Sequence, residues 1–325
     1  MYKAAKITKK IFSISASALL VTTLSSGVMA DVQQKIATAS TTGAFYPIGG
    51  VMASILSKNI DGYNFTAEAT GGSVENARLI GSKESDIGFF GGDTLFNANN
   101  GTQQFKGRPP IALSPIAKIY GMPFQIVALK EDGLTTIHDL ENKSVAVGAP
   151  GSGTSSKAKI VLEQSGLEFG KNINPKFLNF REGADALVDN NVDAITLSVG
   201  LPSGNIQEIA ATHAINLLEI NDAVRQKMAK ETPYFESYVI PAGTYKGVDK
   251  DVKTVGTSTY IAVSPSMSEE EVYQICKVLF KDHYDEFRQA HASLKSMELS
   301  GYADTIIPLH PGAARFYREM DVLSN

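Results

Sequence analysis

Val145-Ala146-Val147-Gly148-Ala149-Pro150-Gly151-Ser152-Gly153-Thr154-Ser155-Ser156 is an apolar run that breaks into glycine, proline and hydroxyls before a helical pattern resumes at Ala158, Val161 and Leu162. Val145 and Val147 alternate as strand residues do, the glycines and Pro150 interrupt regular structure, and Thr154, Ser155 or Ser156 can cap the helix. The stretch reads as strand, loop and helix N-terminus. Such a junction attracts anions, because unpaired N–H groups and the positive end of the helix dipole point into a loop whose glycines admit a ligand. It is not a P-loop, which needs Lys-Ser/Thr directly after its last glycine; here Thr154-Ser155 follows Gly153 and Lys157 comes later. Nor is it a dinucleotide fingerprint, whose third glycine would fall at Ser156. A tight turn that binds nothing would leave the same residues, so the stretch alone leaves both readings open.

The same architecture recurs on either side. Residues 36–39 form a strand and Thr41-Thr42-Gly43-Ala44-Phe45-Tyr46 a loop, with Pro47 suited to a first helical turn. Ile48, Val51, Met52, Ile55 and Leu56 then mark one buried helical stripe. A strand over 63–69 leads to Thr70-Gly71-Gly72-Ser73, with Ser73 as N-cap of the next helix, and a strand over 86–90 ends in Gly91-Gly92-Asp93. Apolar runs 116–120 and 124–129 flank Gly121-Met122-Pro123, and a short helix is expected within 134–140. Past the glycine-rich loop the alternation continues with strands at 176–180, 194–199 and 215–220 and helices at 184–188 and 206–211. Ser268 and Glu271 have capping-box spacing ahead of the stripe Val272, Ile275, Cys276, Leu279 and Phe280, and a last helix follows Pro311. Alternating strands and helices in two blocks predict an α/β chain of two lobes with mostly parallel sheets, residues 31–129 with 238–325 and residues 130–237.

Composition narrows the function. Lys3, Lys6, Lys9 and Lys10 precede a short apolar segment, and Val28-Met29-Ala30 carries the small residues of a cleavage site, so residues 1–30 read as a secretory signal peptide removed after Ala30, giving a periplasmic protein. Without those four lysines the 34 acidic residues outnumber the basic ones by eight, which argues against a nucleic-acid partner. Cys276 is the single cysteine and sits in an apolar helical stripe, a core position. The five histidines show no paired metal-ligand spacing, and there is no G-x-S-x-G elbow, so neither catalysis, a cofactor nor a metal is expected.

Polar, glycine-flanked loops at the carboxyl ends of strands are where open α/β sheets bind ligands. The candidate binding residues are Thr42, Tyr46, Gly72, Ser73, Asn76 and Asp93 from one lobe and Ser152, Gly153, Thr154, Ser155 and Ser198 from the other. Gln125 and Tyr120 join Tyr46 in shaping the pocket, and Arg181 can reach a second carboxylate or simply face solvent. Each Ser or Thr can equally be a helix cap or turn residue.

Thr42-Gly43 with Tyr46-Pro47-Ile48-Gly49-Gly50, Thr70-Gly71-Gly72-Ser73-Val74-Glu75-Asn76, Asp86-Ile87-Gly88-Phe89, the loop from Val145 to Thr154, Ile240-Pro241-Ala242-Gly243-Thr244-Tyr245 and His310-Pro311-Gly312-Ala313 occur in an order that resembles the TAXI family. These are the extracytoplasmic solute-binding proteins of tripartite ATP-independent periplasmic (TRAP) transporters, and the resemblance spans the chain beyond residue 30. It implies a two-lobed type II periplasmic-binding-protein fold and a monomer that closes about the crossings near Lys130 and Tyr238 on a small organic anion or amino acid. The ligand then passes to TRAP membrane permease subunits driven by an ion gradient, usually sodium. Glutamate-like ligands and C4 to C6 dicarboxylates are what the resemblance suggests. One departure, Gly91-Gly92 where the family often has glutamine near Asp93, leaves the ligand's distal group open. The same two lobes also serve ABC-transporter and sensory receptors, and enzymes such as the porphobilinogen-deaminase type.

Overall fold

The computed structural model describes residues 31–295 and 297–324; residues 1–30, read above as a signal peptide, lie outside the described residues. The first block runs β1 (Val32–Ala37), α1 (Phe45–Asn59), β2 (Tyr63–Glu68), α2 (Ser73–Gly81), β3 (Ile87–Gly91), α3 (Gly92–Asn100) and β4 (Ser114–Leu129). The second runs β5 (Ser144–Ala146), α4 (Gly153–Gln164), β6 (Asn174–Lys176), α5 (Phe180–Val188), β7 (Ala194–Ser198), α6 (Gly204–Thr212), β8 (Ile215–Leu217), α7 (Asp222–Glu231) and β9 (Glu236–Ile240). The chain returns through β10 (Val252–Val263) to α8 (Glu269–Lys277), α9 (Tyr284–Arg288), α10 (Leu299–Tyr302) and α11 (Pro311–Glu319).

The strands follow the order β2-β1-β3-β10-β4-β7-β5-β6, with β8 on β4 and β9 on β10. β1, β2 and β3 are parallel, as are β5, β6 and β7. β4 and β10 run antiparallel to their neighbours and belong to both halves. Each half buries both faces of its sheet, which explains the continuous apolar runs of its strands. Phe89 packs with α1 and α8 residues while its neighbour Phe90 packs with α2 and α3, and Val145 and Ala146 divide in the same way between two clusters. The expected stripe of α1 is borne out: Ile48, Met52, Ile55 and Leu56 are buried and Val51 packs against the same core.

Several local expectations need correction. Ser73 is the first residue of α2, and Gly72 occupies the N-cap. The strand expected over 176–180 ends at Lys176, because Asn179 and Glu182 form a capping box that starts α5 at Phe180. The helix expected within 134–140 is a single 3₁₀ turn, Ile137–Leu140. Gly121-Met122-Pro123 does not interrupt the chain; β4 passes straight through it. Pro123 is tolerated because it sits where β4 leaves β10 and takes up β7: Gly256 pairs with Pro123, and Ser198 with Phe124.

At this handover the Tyr238 ring lies across both strands. A Cβ on Gly256 would stand 2.7 Å from the ring and 2.8 Å from both the Met122 carbonyl and the Pro123 Cα, and one on Gly121 would stand 2.6 Å from the Tyr238 hydroxyl. Glycine is therefore required by close approach. Gly256→Ala is expected to lower unfolding stability by about 1–3 kcal/mol through overpacking. Gly50→Ala, inside α1 with open space around it, should raise stability by about 0.5–1 kcal/mol. Urea unfolding of the two variants beside the parent chain checks the contrast.

Candidate functional site

A cavity of about 70 Å³ lies where the carboxyl edges of the parallel strands of the two halves face one another. Four helices begin at its wall: Ala44 and Phe45 open α1, Gly72 and Ser73 open α2, Ser152, Gly153 and Thr154 open α4, and Asn179 and Phe180 open α5. The first N–H groups of each helix have no intrahelical partner, and each terminus carries positive dipole charge. Tyr120 and Met122 of β4 and Val199 after β7 add apolar surface. No acidic or basic side chain is among the lining residues.

Local chemistry explains each terminus. Ser152 is the N-cap of α4, its Oγ accepting the Ser155 N–H at 3.0 Å. Asn179 caps α5, its Oδ1 accepting the Glu182 N–H at 3.0 Å. Gly153 meets the opposite lobe, for a Cβ there would stand 3.0 Å from the Ser73 Oγ. Ser73 in turn accepts the Gly91 N–H at 3.1 Å, which ties α2 to the end of β3.

Of the sequence-predicted residues, Gly72, Ser73, Ser152, Gly153, Thr154 and Ser198 line the cavity, as does Tyr120. Thr154 is buried, and its hydroxyl bonds to no described residue. The others stand outside it. Asn76 is buried, donating to the carbonyls of Thr38 (2.7 Å) and Phe89 (2.9 Å) and accepting from the Thr70 hydroxyl (2.6 Å), so it binds α2 to the ends of β1 and β3. Gln125 accepts the Tyr245 hydroxyl at 2.6 Å. Ser155 contributes its N–H to the α4 cap. Thr42 is exposed, its carbonyl accepting from Asn205 at 3.3 Å, and Tyr46 is partly buried away from the lining. Arg181 is exposed and engaged by Asp185 (3.2 Å) and Glu208 (3.0 Å), so it does not reach the cavity.

Asp93 is fully buried and faces a residue that the motif comparison passed over. Lys157 has no exposed surface; its ammonium donates to the Ser198 Oγ at 2.6 Å and the Thr257 Oγ1 at 2.8 Å, and stands 3.4 Å from the Asp93 carboxylate. Burial draws the Lys157 pKa down, and the charge of Asp93 opposes that shift. The cluster joins α4 and β7 to α3 and to the returning strand β10. The signal for Lys157 was present: Thr154, Lys157, Ala158, Val161 and Leu162 recur at i, i+3, i+4, i+7 and i+8, so the lysine stands in the buried stripe. Asn179 and Phe180 were also passed over, although Asn179 and Glu182 have the spacing of a capping box.

Asp93→Asn leaves the Lys157 ammonium buried without a countercharge and should cost about 3–5 kcal/mol. Adding Lys157→Met should recover part of that loss, since the unpaired charge is gone. Unfolding midpoints of the two single variants and the double variant measure this coupling.

PhnD1 of Prochlorococcus marinus (MIT 9301), solved in complex with methylphosphonate, superposes with a TM-score of 0.55 at 12% identity, covering 90% of this chain and 99% of that one. A binding protein of an ABC phosphonate transporter from Pseudomonas aeruginosa superposes at 0.52 with 11% identity, covering 81% and 79%. At this identity the likeness shows the fold, that of two-lobed periplasmic binding proteins. The NMT1-like family model matches residues 36–320, most of the sequence, and the chain belongs to the NMT1-like family.

Proposed function

We propose that this protein is an exported receptor, a monomer, that captures a small organic carboxylate between its lobes and delivers it to a TRAP-type membrane permease. The observation that carries the reading is one cavity bounded by four helix N-termini, with no charged side chain in its lining. The motif resemblance supports the TRAP partner and the class of ligand, and the lysine-led segment of residues 1–30 supports export. No helix of the described residues is long and apolar enough to cross a membrane.

Closure follows from unequal contact in the two states. With the lobes apart, an anion meets either α1 and α2 or α4 and α5; with them together it meets all four. A partly buried helix N-terminus is worth up to about 2 kcal/mol to an anion. Two additional termini therefore supply up to about 4 kcal/mol of the roughly 5.5 kcal/mol that turns a mostly open population into a mostly closed one, and the rest must come from the other contacts the ligand makes only in the closed cleft. The strands β4 and β10, which run through both halves, are the connection about which the lobes move. Buried Lys157 and Asp93 add a ligand-independent contact to the closed arrangement.

The test is a thermal-shift series on protein taken from a periplasmic extract, unfolded and refolded to remove carried ligand. Ligand at about 100 times its Kd adds roughly 2.7 kcal/mol. A shift with at least one carboxylate, weakened tenfold or more by Ser198→Ala or Thr154→Val, is expected. A shift confined to alkylphosphonates, the class of ligand with which PhnD1 was solved, overturns the carboxylate. A shift confined to uncharged solutes overturns the anion receptor.

A further inference from the structure

The polarity of the cavity is set before any ligand arrives. Ser73, Ser152 and Ser198 are all buried in its lining, and each hydroxyl oxygen already accepts from a fixed donor: the Gly91 N–H, the Ser155 N–H and the Lys157 ammonium. Lys157 has no acceptor to offer in return, so the Ser198 hydrogen must be donated elsewhere. The same holds for the Ser73 and Ser152 hydrogens, since a main-chain N–H can only donate. Asn179 follows suit: its Oδ1 takes the Glu182 N–H, which leaves the amide hydrogens free.

Acceptors are scarce on the same surface. The carbonyls of Ser40, Gly72, Ala149, Ser152 and Asn179 each already accept one N–H, from Gly43, Asn76, Ser152, Ser156 and Gly183, so each keeps one neutral lone pair and no countercharge. The nearby carboxylates stand outside the lining: Glu75 accepts the Gly71 N–H at 2.7 Å, Glu182 the Asn179 N–H at 2.9 Å, and Asp93 faces Lys157. A bound ammonium would lose its water without gaining a countercharge. A second carboxylate would find no cation, because Arg181 is held outside and Lys157 stands behind Ser198. Phe45, Met122, Tyr120, Phe180 and Val199 supply an apolar surface for the rest of the ligand.

We infer that the cavity takes a small organic monocarboxylate, such as a short aliphatic or 2-oxo acid, with an apolar body, no ammonium group and no second charge. This rests on the receptor reading above and narrows its ligand. The specificity comes from donors on both lobes whose hydrogens are already directed by their neighbours.

The experiment compares matched ligands on the stripped protein by calorimetry: isovalerate and 3-methyl-2-oxobutanoate, their amino counterpart valine, and the charged pair 2-oxoglutarate and glutamate. The monocarboxylates should bind at least about tenfold more tightly than valine or either dicarboxylate, the penalty for burying an unpaired charge. Asn179→Asp keeps a good helix cap while placing an acceptor in the wall; it should weaken monocarboxylate binding at least tenfold and narrow the gap to valine. Valine, glutamate or 2-oxoglutarate binding as tightly as the monocarboxylates overturns the inference while leaving a carboxylate receptor in place. An Asn179→Asp protein that folds and binds monocarboxylates unchanged overturns the assignment to this cavity. No binding by any of the five acids overturns the receptor reading and this inference together.

Discussion

Parallel strands impose a constraint from which the rest of the molecule follows. Each crossover returns over the sheet, so the carboxyl ends of the strands, and the N-termini of the helices that follow them, gather along one edge. Here two such edges face each other, one carrying the starts of α1 and α2 and the other the starts of α4 and α5. Backbone dipoles that would be scattered in another topology converge on one small space. The glycines and short hydroxyl residues at these junctions follow from this, because larger side chains would fill the space that the main chain must line.

Charge economy is the second theme. A cation in the wall would hold an anion almost as well in one open lobe as in the closed protein, whereas neutral donors divided between lobes reward closure. The one buried cation among the described residues, Lys157, is kept out of the lining and acts on Ser198, Thr257 and Asp93 instead. Its burial is sustained by two hydroxyl acceptors and a carboxylate whose own oxygens make no hydrogen bond besides the ion pair among the described residues. Such a group is costly to bury unless its partners are in place, so the cluster is complete only when α3, α4, β7 and β10 meet.

The crossing strands illustrate how packing overrides local preference. Gly-Met-Pro reads as a break, and in isolation it would be one. In the fold, Pro123 falls where β4 changes partner, and Gly121 and Gly256 make room for the Tyr238 ring across both strands. One long strand therefore threads both halves where two short runs were expected.

The sequence by itself determined the α/β class, the helix stripe of α1 and the recurring strand, loop and helix junctions, because these depend on periodicity and on capping chemistry close along the chain; it offered the lining residues from Gly72 to Ser198 only among a longer set of candidates, from which the fold selected them. Asn76 and Gln125 have the same polar character, yet they serve carbonyls and a tyrosine hydroxyl in the framework; which way a polar side chain turns is settled by neighbours far away in sequence. Lys157 and Asp93 lie 64 positions apart, and only tertiary structure decides that they meet, since an ion pair of that separation leaves no periodic trace. The direction of each hydroxyl hydrogen was likewise decided by the fold, because it depends on which donor arrives at the oxygen.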